Sequence, residues 1–285
     1  GMSARRALLV VLGLLLGSFG AWATVVEPDE LLVRPATLRL ARWPGAWDGL
    51  VVAAISDIHA GSLYVGPEKL DRLVALTNGA HPDLIVLLGD YVCHRHPHDA
   101  VENPEALARR LARLRAPLGV VAVLGNHDNW MDGRRFRRAF DAVGLRVLDN
   151  DVLCLERRGR PLWLAGIADA LTGNPRVAAT LARVPAGEPV IVLTHNPDLF
   201  DHEIPDRVQL TLAGHTHGGQ VRLPFVGCLV VPSAYGQRYV QGEVVDGPRV
   251  LFVTSGVGTS VLPIRFGVPP EISLLTLTGT APEVE

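Results

Sequence analysis

Cysteine is scarce in this chain. Cys93, Cys154 and Cys228 are the three in 285 residues. None stands in a CxxC pair, and no spacing suggests a thiolate zinc site. The odd count argues against a fully bridged disulfide framework. One bridge is open in principle; three small, partly buried thiols is the simpler reading. An excess of one charge is also missing. Lys and Arg total 27 against 29 Asp and Glu, a formal net charge of −2. A general nucleic-acid binder needs a basic footprint, so no nucleic-acid binding is expected. No repeat and no low-complexity tract interrupts the chain.

Long apolar runs are absent too, with one exception at the start. Arg5 and Arg6 precede an uncharged stretch from Ala7 to Val26. It is about long enough to cross a bilayer as a helix. Trp22 falls near its far end, where an interfacial aromatic belongs. Two readings compete: an uncleaved signal anchor, and a signal peptide cleaved at Ala21-Trp22-Ala23. The run outlasts an ordinary signal-peptide core, which favours the anchor. A buried helix of a soluble domain is the weakest alternative. Arg5 and Arg6 before the run, with Glu27, Asp29 and Glu30 after it, place the main domain outside the cytoplasm. The pair matches a twin-arginine signal only loosely, because Ala4 stands before it. Gly1, ahead of Met2, reads as an addition before the natural start. Residues 1–26 are therefore read as anchor or signal, and 27–285 as one domain, entered through a polar, proline-containing connector.

Buried-strand runs punctuate that domain. Leu50–Ser56, Leu84–Leu88 and Val120–Leu124 are short and apolar throughout, as strands covered on both faces are. Helical spacing predicts helices over Pro67–Gly79, Pro104–Arg115 and Asp132–Val143. The later half is richer in strands: Val152–Glu156, Leu162–Ala165, Val190–Leu193, Gln209–Ala213, Val250–Thr254 and Ile272–Leu277, with a helix over Pro175–Arg183. An α/β half followed by a mixed half predicts two packed sheets flanked by helices.

The chemistry-bearing residues follow the strands at once. Asp57 and His59 come after the first, Gly89-Asp90 after the second, and Gly125-Asn126-His127-Asp128 after the third. Thr194-His195-Asn196 and Gly214-His215-Thr216-His217-Gly218-Gly219-Gln220 follow two later ones. Ligand sites in open α/β sheets lie at the carboxyl ends of strands. Carboxylate, amide and imidazole donors together suit Mn, Fe or Zn; an all-oxygen set would have suited Mg or Ca. A lone DxH is common by chance, and a single histidine is more often structural. The ordered set carries the weight.

These residues resemble the calcineurin-like metallophosphoesterase superfamily, through the region from Asp57 to Gln220. Ile55 to His59, His81-Pro82-Asp83, Gly214 to Gln220, Gly256-Val257-Gly258-Thr259, Leu262 to Phe266 and Pro269-Pro270-Glu271 look like its membrane-associated bacterial subgroup. The resemblance implies an α/β fold, a four-layer α/β/β/α sandwich of two mixed β-sheets. It implies two divalent metal ions. Asp57, His59 and His217 would hold one, Asn126, His195 and His215 the other, and Asp90 both.

The expected reaction is hydrolysis of a phosphodiester or phosphomonoester, small-molecule or phospholipid-like. A hydroxide shared by the metals would attack phosphorus. His127 would be general acid to the leaving oxygen, oriented by Asp90 or Asp128; its plainer role is to orient a ligand. Asn126, Arg222 and Arg265 are candidate substrate contacts, the arginines because a guanidinium suits phosphate. His94, His96 and His98 follow Asp90 in a loop and are either substrate contacts or solvated. His81 and His202 read as surface residues. The arginines at 109, 110, 113, 115, 134, 135, 137 and 138 read as solvated helix faces. Two alternatives stand: a pyrophosphatase of the UDP-2,3-diacylglucosamine type, and a non-catalytic metal-binding protein on the same fold.

Overall fold

Residues 3–93 and 103–280 are described in the computed structural model. His94, His96 and His98 lie outside them. The helices are α1 (Ala4–Ala21), α2 (Glu27–Asp29), α3 (Pro67–Gly79), α4 (Pro104–Leu111), α5 (Asn126–Asp141), α6 (Val177–Leu181) and α7 (Leu199–His202). The strands are β1 (Leu32–Leu40), β2 (Leu50–Ile55), β3 (Leu84–Leu87), β4 (Val120–Ala122), β5 (Arg146–Val147), β6 (Asp151–Arg157) and β7 (Arg160–Gly166), then β8 (Val190–Leu193), β9 (Leu210–Ala213), β10 (Arg222–Leu223), β11 (Gly227–Cys228), β12 (Gly242–Asp246), β13 (Arg249–Val253) and β14 (Glu271–Gly279).

One sheet has the order β1-β14-β2-β3-β4-β5, and the other β12-β13-β9-β8-β7-β6. Pleating sends alternate residues of each strand to opposite faces, and the three apolar layers follow from it. Ala53, Ile55, Ile85 and Leu87 face α3, α4 and α5 through Leu73, Leu107, Phe136 and Phe140. Val52, Ala54, Leu84 and Val86 face inward, against Leu164, Ile191, Leu193 and Leu212 of the second sheet. On that sheet's outer side, Val190, Val192, Leu251 and Val253 meet Val177, Leu181 and Phe200. This is the four-layer α/β/β/α sandwich. Strands as short as β4 persist because each buried Leu, Val or Phe contributes about 1.5–3 kcal/mol.

The structure corrects several boundaries. The stretch expected to be a polar connector contains β1, nine residues paired in parallel with β14. It lies at the sheet edge, where Pro35 costs no ladder bond on the open side. β12 and β5 were not foreseen either; both are edge strands. Helix α5 starts at Asn126, not Asp132, and bends at Asp132, whose φ of −176° is extended. The expected start is the second leg: Asp132 Oδ1 accepts the Arg135 N–H at 3.0 Å, as an N-cap does. Helix α4 ends at Leu111, short of Arg115.

The N-terminal helix does not stop at Ala21. A single π turn over Trp22–Val26 carries it into α2. Helix α1 buries none of its side chains, and Ala4–Asp29 is long and apolar enough to cross a membrane. Its last turns are held by the domain. Ala23 and Glu27 are buried. Glu27 accepts from the Val268 N–H at 2.6 Å and from Trp22 Nε1 at 2.7 Å.

Candidate metal centre

Two sheets bring their strand ends to one rim. Asp57 and His59 leave β2, Asp90 leaves β3, Asn126 leaves β4, His195 leaves β8, and His215 and His217 leave β9. Side chains of the site join the sheets there. The His215 N–H donates to Asp57 Oδ2 at 3.0 Å. His195 Nδ1 donates to the Leu88 carbonyl at 2.8 Å, which aims Nε2 into the site.

Side-chain donors gather in three sets. Asp57, His59 and His217 form the first; Asp90, His195 and His215 form the second; His59, Asp90 and His127 form a third that shares a residue with each; within each set the ligand atoms lie within 4.8 Å of one another. In the first, His59 Nε2 and His217 Nε2 are 3.2 Å apart, and Asp57 Oδ1 is 3.3 Å from His217 Nε2. In the second, His195 Nε2 is 3.2 Å from His215 Nδ1 and 3.1 Å from Asn126 Oδ1. Asp90 lies between them, with Oδ2 3.6 Å from His59 Nε2 and 3.3 Å from His195 Nε2. Its Oδ1 is engaged elsewhere, accepting the His127 N–H at 2.9 Å.

The backbone is strained to reach this arrangement. Asp57, His59, Asp90, His215 and His217 all have left-handed φ, between 45° and 72°. Each such non-glycine residue costs of order 1–3 kcal/mol, and such strain clusters at functional sites. Two glycines are needed for close approach. A Cβ on Gly214 would lie 2.6 Å from Asp57 Oδ2, and one on Gly125 would lie 2.6 Å from the Asp90 nitrogen. Asp128 closes the turn at the start of α5. It accepts the N–H groups of Asp90, Tyr91 and Gly125, each at 2.8 Å.

Burial sets the charges. It pulls His59 down to about 3, helped by other nearby cations. It pulls His215 down to about 4, with His195 adding to the effect, and His217 well below the usual imidazole range. These three rings are neutral at pH 7, with lone pairs available. Burial pushes Asp57 up to about 6 and Asp128 up to about 8, Asp90 adding its repulsion in both cases. His195 goes the other way. Desolvation lowers it, but the charge and hydrogen bond of Asp90 raise it to about 10. Burial likewise opposes ionisation of Asp90, yet His195 holds it well below the usual carboxylate range.

A divalent cation fits this donor set. Among the described residues, the buried Asp57 Oδ1 and His217 Nδ1 accept or donate no hydrogen bond. The neutral His59 and His217 rings face each other with Nε2 atoms 3.2 Å apart, an arrangement that a shared cation relieves. The mixed N and O donors suit first-row divalent ions.

The expected site residues do not all gather. Asp57, His59, Asp90, Asn126, His195, His215 and His217 do. His127 stands at the edge, its side chain 17% exposed and its Nε2 4.0 Å from Asp90 Oδ2. Arg265 requires a correction: it does not face a substrate. It is wholly buried, and its guanidinium donates to the carbonyls of Gly258, Val268 and Ser255. It braces the loop behind Asp57 because those carbonyls have no strand partner. Arg222 is exposed on β10. His81 and His202 are exposed. The arginine-rich faces of α4 and α5 form ion pairs, Arg110 and Arg113 with Asp71 and Arg135 with Glu105. Asp169 was missed. It is buried, binds the Leu171 and Thr172 N–H groups through Oδ2, and its field raises His195 and His215. It follows β7 just as the ligands follow their strands, so the same rule would have found it.

The family model of the calcineurin-like phosphoesterases matches residues 50–219. The metallophosphoesterase YkuE of Bacillus subtilis (strain 168) is 33% identical over 93% of this chain and 91% of its own. The phosphodiesterase YaeI of Escherichia coli (strain K12) is 33% identical over 78% of this chain and 80% of its own. The UDP-2,3-diacylglucosamine pyrophosphatase LpxG of Chlamydia trachomatis is 28% identical over 89% of this chain and 91% of its own.

Proposed function

As this chain belongs to the calcineurin-like phosphoesterase family, it is a hydrolase of phosphoester bonds, and we propose that it works with two divalent metal ions on a phosphodiester or phosphomonoester outside the cytoplasm. Asp57, His59 and His217 would hold one ion, Asn126, His195 and His215 the other, and Asp90 both. The observation that carries this reading is Asp90 Oδ2, set between the two donor groups at 3.6 Å from His59 and 3.3 Å from His195. Bound there, such ions acidify water and offset charge on phosphoryl oxygens.

The chain's own groups do the rest. Asn126 turns its Oδ1 toward His195, which leaves the Nδ2 hydrogens for a phosphoryl oxygen. His127 is the general acid. It is the part-exposed imidazole beside the cluster, edge-on to His59 at 4.8 Å and to Trp130 at 5.0 Å. Its main-chain N–H holds Asp90 Oδ1, so ring and carboxylate are positioned together. A proton on its imidazole passes to the departing alkoxide.

The first test is turnover of a chromogenic diester by the full chain loaded with Mn, Fe or Zn, against the chelated protein. Equal rates would refute metal dependence. His127→Ala should slow alkyl esters by a further 10²–10⁴-fold relative to activated aryl esters, because only poor leaving groups need a proton. Equal losses on both would remove His127 from the acid role. The name of the Chlamydia relative supports a second reading, cleavage of a lipid-linked pyrophosphate. Including such a substrate beside mono- and diesters separates the readings.

A further inference from the structure

Outside the N-terminal helix, large exposed apolar side chains concentrate on two loops. Phe225, Val226, Leu229 and Val230 lie at and after the β10–β11 turn, and Val261 and Leu262 lie in the loop before Arg265. Gln220 staples the loops together. Its Oε1 accepts the Ser260 N–H at 2.6 Å, and its Nε2 donates to the Leu262 carbonyl at 3.1 Å.

Two of these side chains sit on strained backbone. Phe225 has φ 66° and Val261 φ 64°. A solvent-facing turn with that geometry favours Gly or Asn, and an aromatic or β-branched residue there is an outlier. Phe225 is fully exposed at the hairpin tip. Strain that displays an apolar group points to a use for the display.

The N-terminal helix supplies the direction. Phe19, in the last turn of α1, packs against Phe266 with ring centroids 4.3 Å apart and the rings tilted by 47°. The Phe266 carbonyl accepts the Arg222 N–H at 2.8 Å, at the base of the hairpin. The Arg265 N–H donates to the Ala23 carbonyl at 2.9 Å, and Lys69 Nζ to the Pro28 carbonyl at 2.6 Å. The apolar loops are thus continuous with the end of a helix fit to cross a bilayer, and that helix is fastened to the domain. The hairpin is also fastened to the ligand loop, since Cys228 Sγ donates to the Gly218 carbonyl at 3.2 Å, one residue beyond His217.

We propose that these loops seat the catalytic domain on the lipid bilayer entered by the N-terminal helix, and that the phosphoester it cleaves is on a lipid headgroup in that leaflet. This rests on the phosphoesterase reading above. Phe225 and Val226 enter the acyl boundary, as apolar side chains of interfacial proteins do. Arg222, exposed at the base of the hairpin, lies at headgroup level against anionic lipid. A domain held at the surface by helix and hairpin together meets a headgroup phosphate without extracting the lipid.

The test uses the full chain in vesicles of phosphatidylcholine and phosphatidylglycerol. In a Cys93→Ser, Cys154→Ser background, an environment-sensitive dye is attached at Phe225→Cys or, as control, at Arg158→Cys in the β6–β7 turn. Lipid-borne quenchers at known depth should quench the dye at 225 and spare the one at 158. A second arm compares a para-nitrophenyl diester bearing a long alkyl chain, embedded in the vesicles, with soluble bis(para-nitrophenyl) phosphate. Phe225→Ser with Val226→Ser should cut turnover of the embedded diester by at least about tenfold, the lower bound for losing one buried Phe, and leave the soluble one unchanged. An unquenched dye at 225, or equal loss on both diesters, overturns the proposal. If wild-type protein turns over neither diester, the phosphoesterase reading fails, while the depth arm still decides the docking.

Discussion

Asp90 divides its oxygens between the backbone and the two donor sets: Oδ1 takes the His127 N–H, and Oδ2 faces His59 and His195. The pairing with His195 has a measurable consequence. With a pKa raised to about 10, largely by Asp90, His195 keeps a proton at neutral pH in the metal-free protein. A metal ligand must be neutral imidazole, so binding expels that proton. His59, His215 and His217 are already neutral and release none. Metal affinity should therefore rise with pH up to about 10. It should fall more steeply below about 6, where Asp57 also takes a proton. Calorimetric titration of Mn or Zn in buffers of different ionisation enthalpy reads the released proton directly. Heats independent of the buffer would contradict this account.

At the scale of elements, what matters is how each strand or helix ends. The short parallel strands stop where the apolar run stops, and the next residue turns into the site. Asp57 and Asp90 could be found in the sequence because the strands before them, Leu50–Ile55 and Leu84–Leu87, are apolar throughout, as burial on both faces demands. Strand β1 was not legible. It is an edge strand carrying Arg34, Pro35 and Thr37, and its membership comes from pairing with β14, more than two hundred residues away in sequence. The start of α5 was hidden because Gly125-Asn126-His127 reads as a turn; Asp128 caps it by accepting the Gly125 N–H and is held there by further bonds to Asp90 and Tyr91. The end of the N-terminal helix carries its own prediction. Glu27→Ala leaves the Val268 N–H and Trp22 Nε1 without their acceptor, which should cost about 1–3 kcal/mol. A lower denaturant midpoint and faster amide exchange at Val268 would register it; unchanged exchange there would deny the contact.

The whole molecule is a two-sheet sandwich with one apolar helix fastened to it. We propose that the domain faces away from the cytoplasm, because Arg5 and Arg6 precede the helix and Glu27, Asp29 and Glu30 follow it. A reporter active only outside the cytoplasm, fused after Glu285, should be active in cells. A silent reporter on a well-expressed fusion would reverse the orientation.

The sequence by itself determined the chemistry and its order along the chain. Each metal-capable residue follows a strand, and a strand covered on both faces declares itself by composition. It also determined the single apolar segment at the start, because a bilayer sets the length such a segment needs. Only the tertiary structure decided which oxygen of Asp90 faces the two donor sets, that Arg265 braces a loop instead of facing a substrate, and that the exposed hairpin adjoins the helix. The reason is the same in all three cases. Composition reports whether a residue is buried, but its partners come from strands and loops distant in the chain, brought together by the packing of the two sheets.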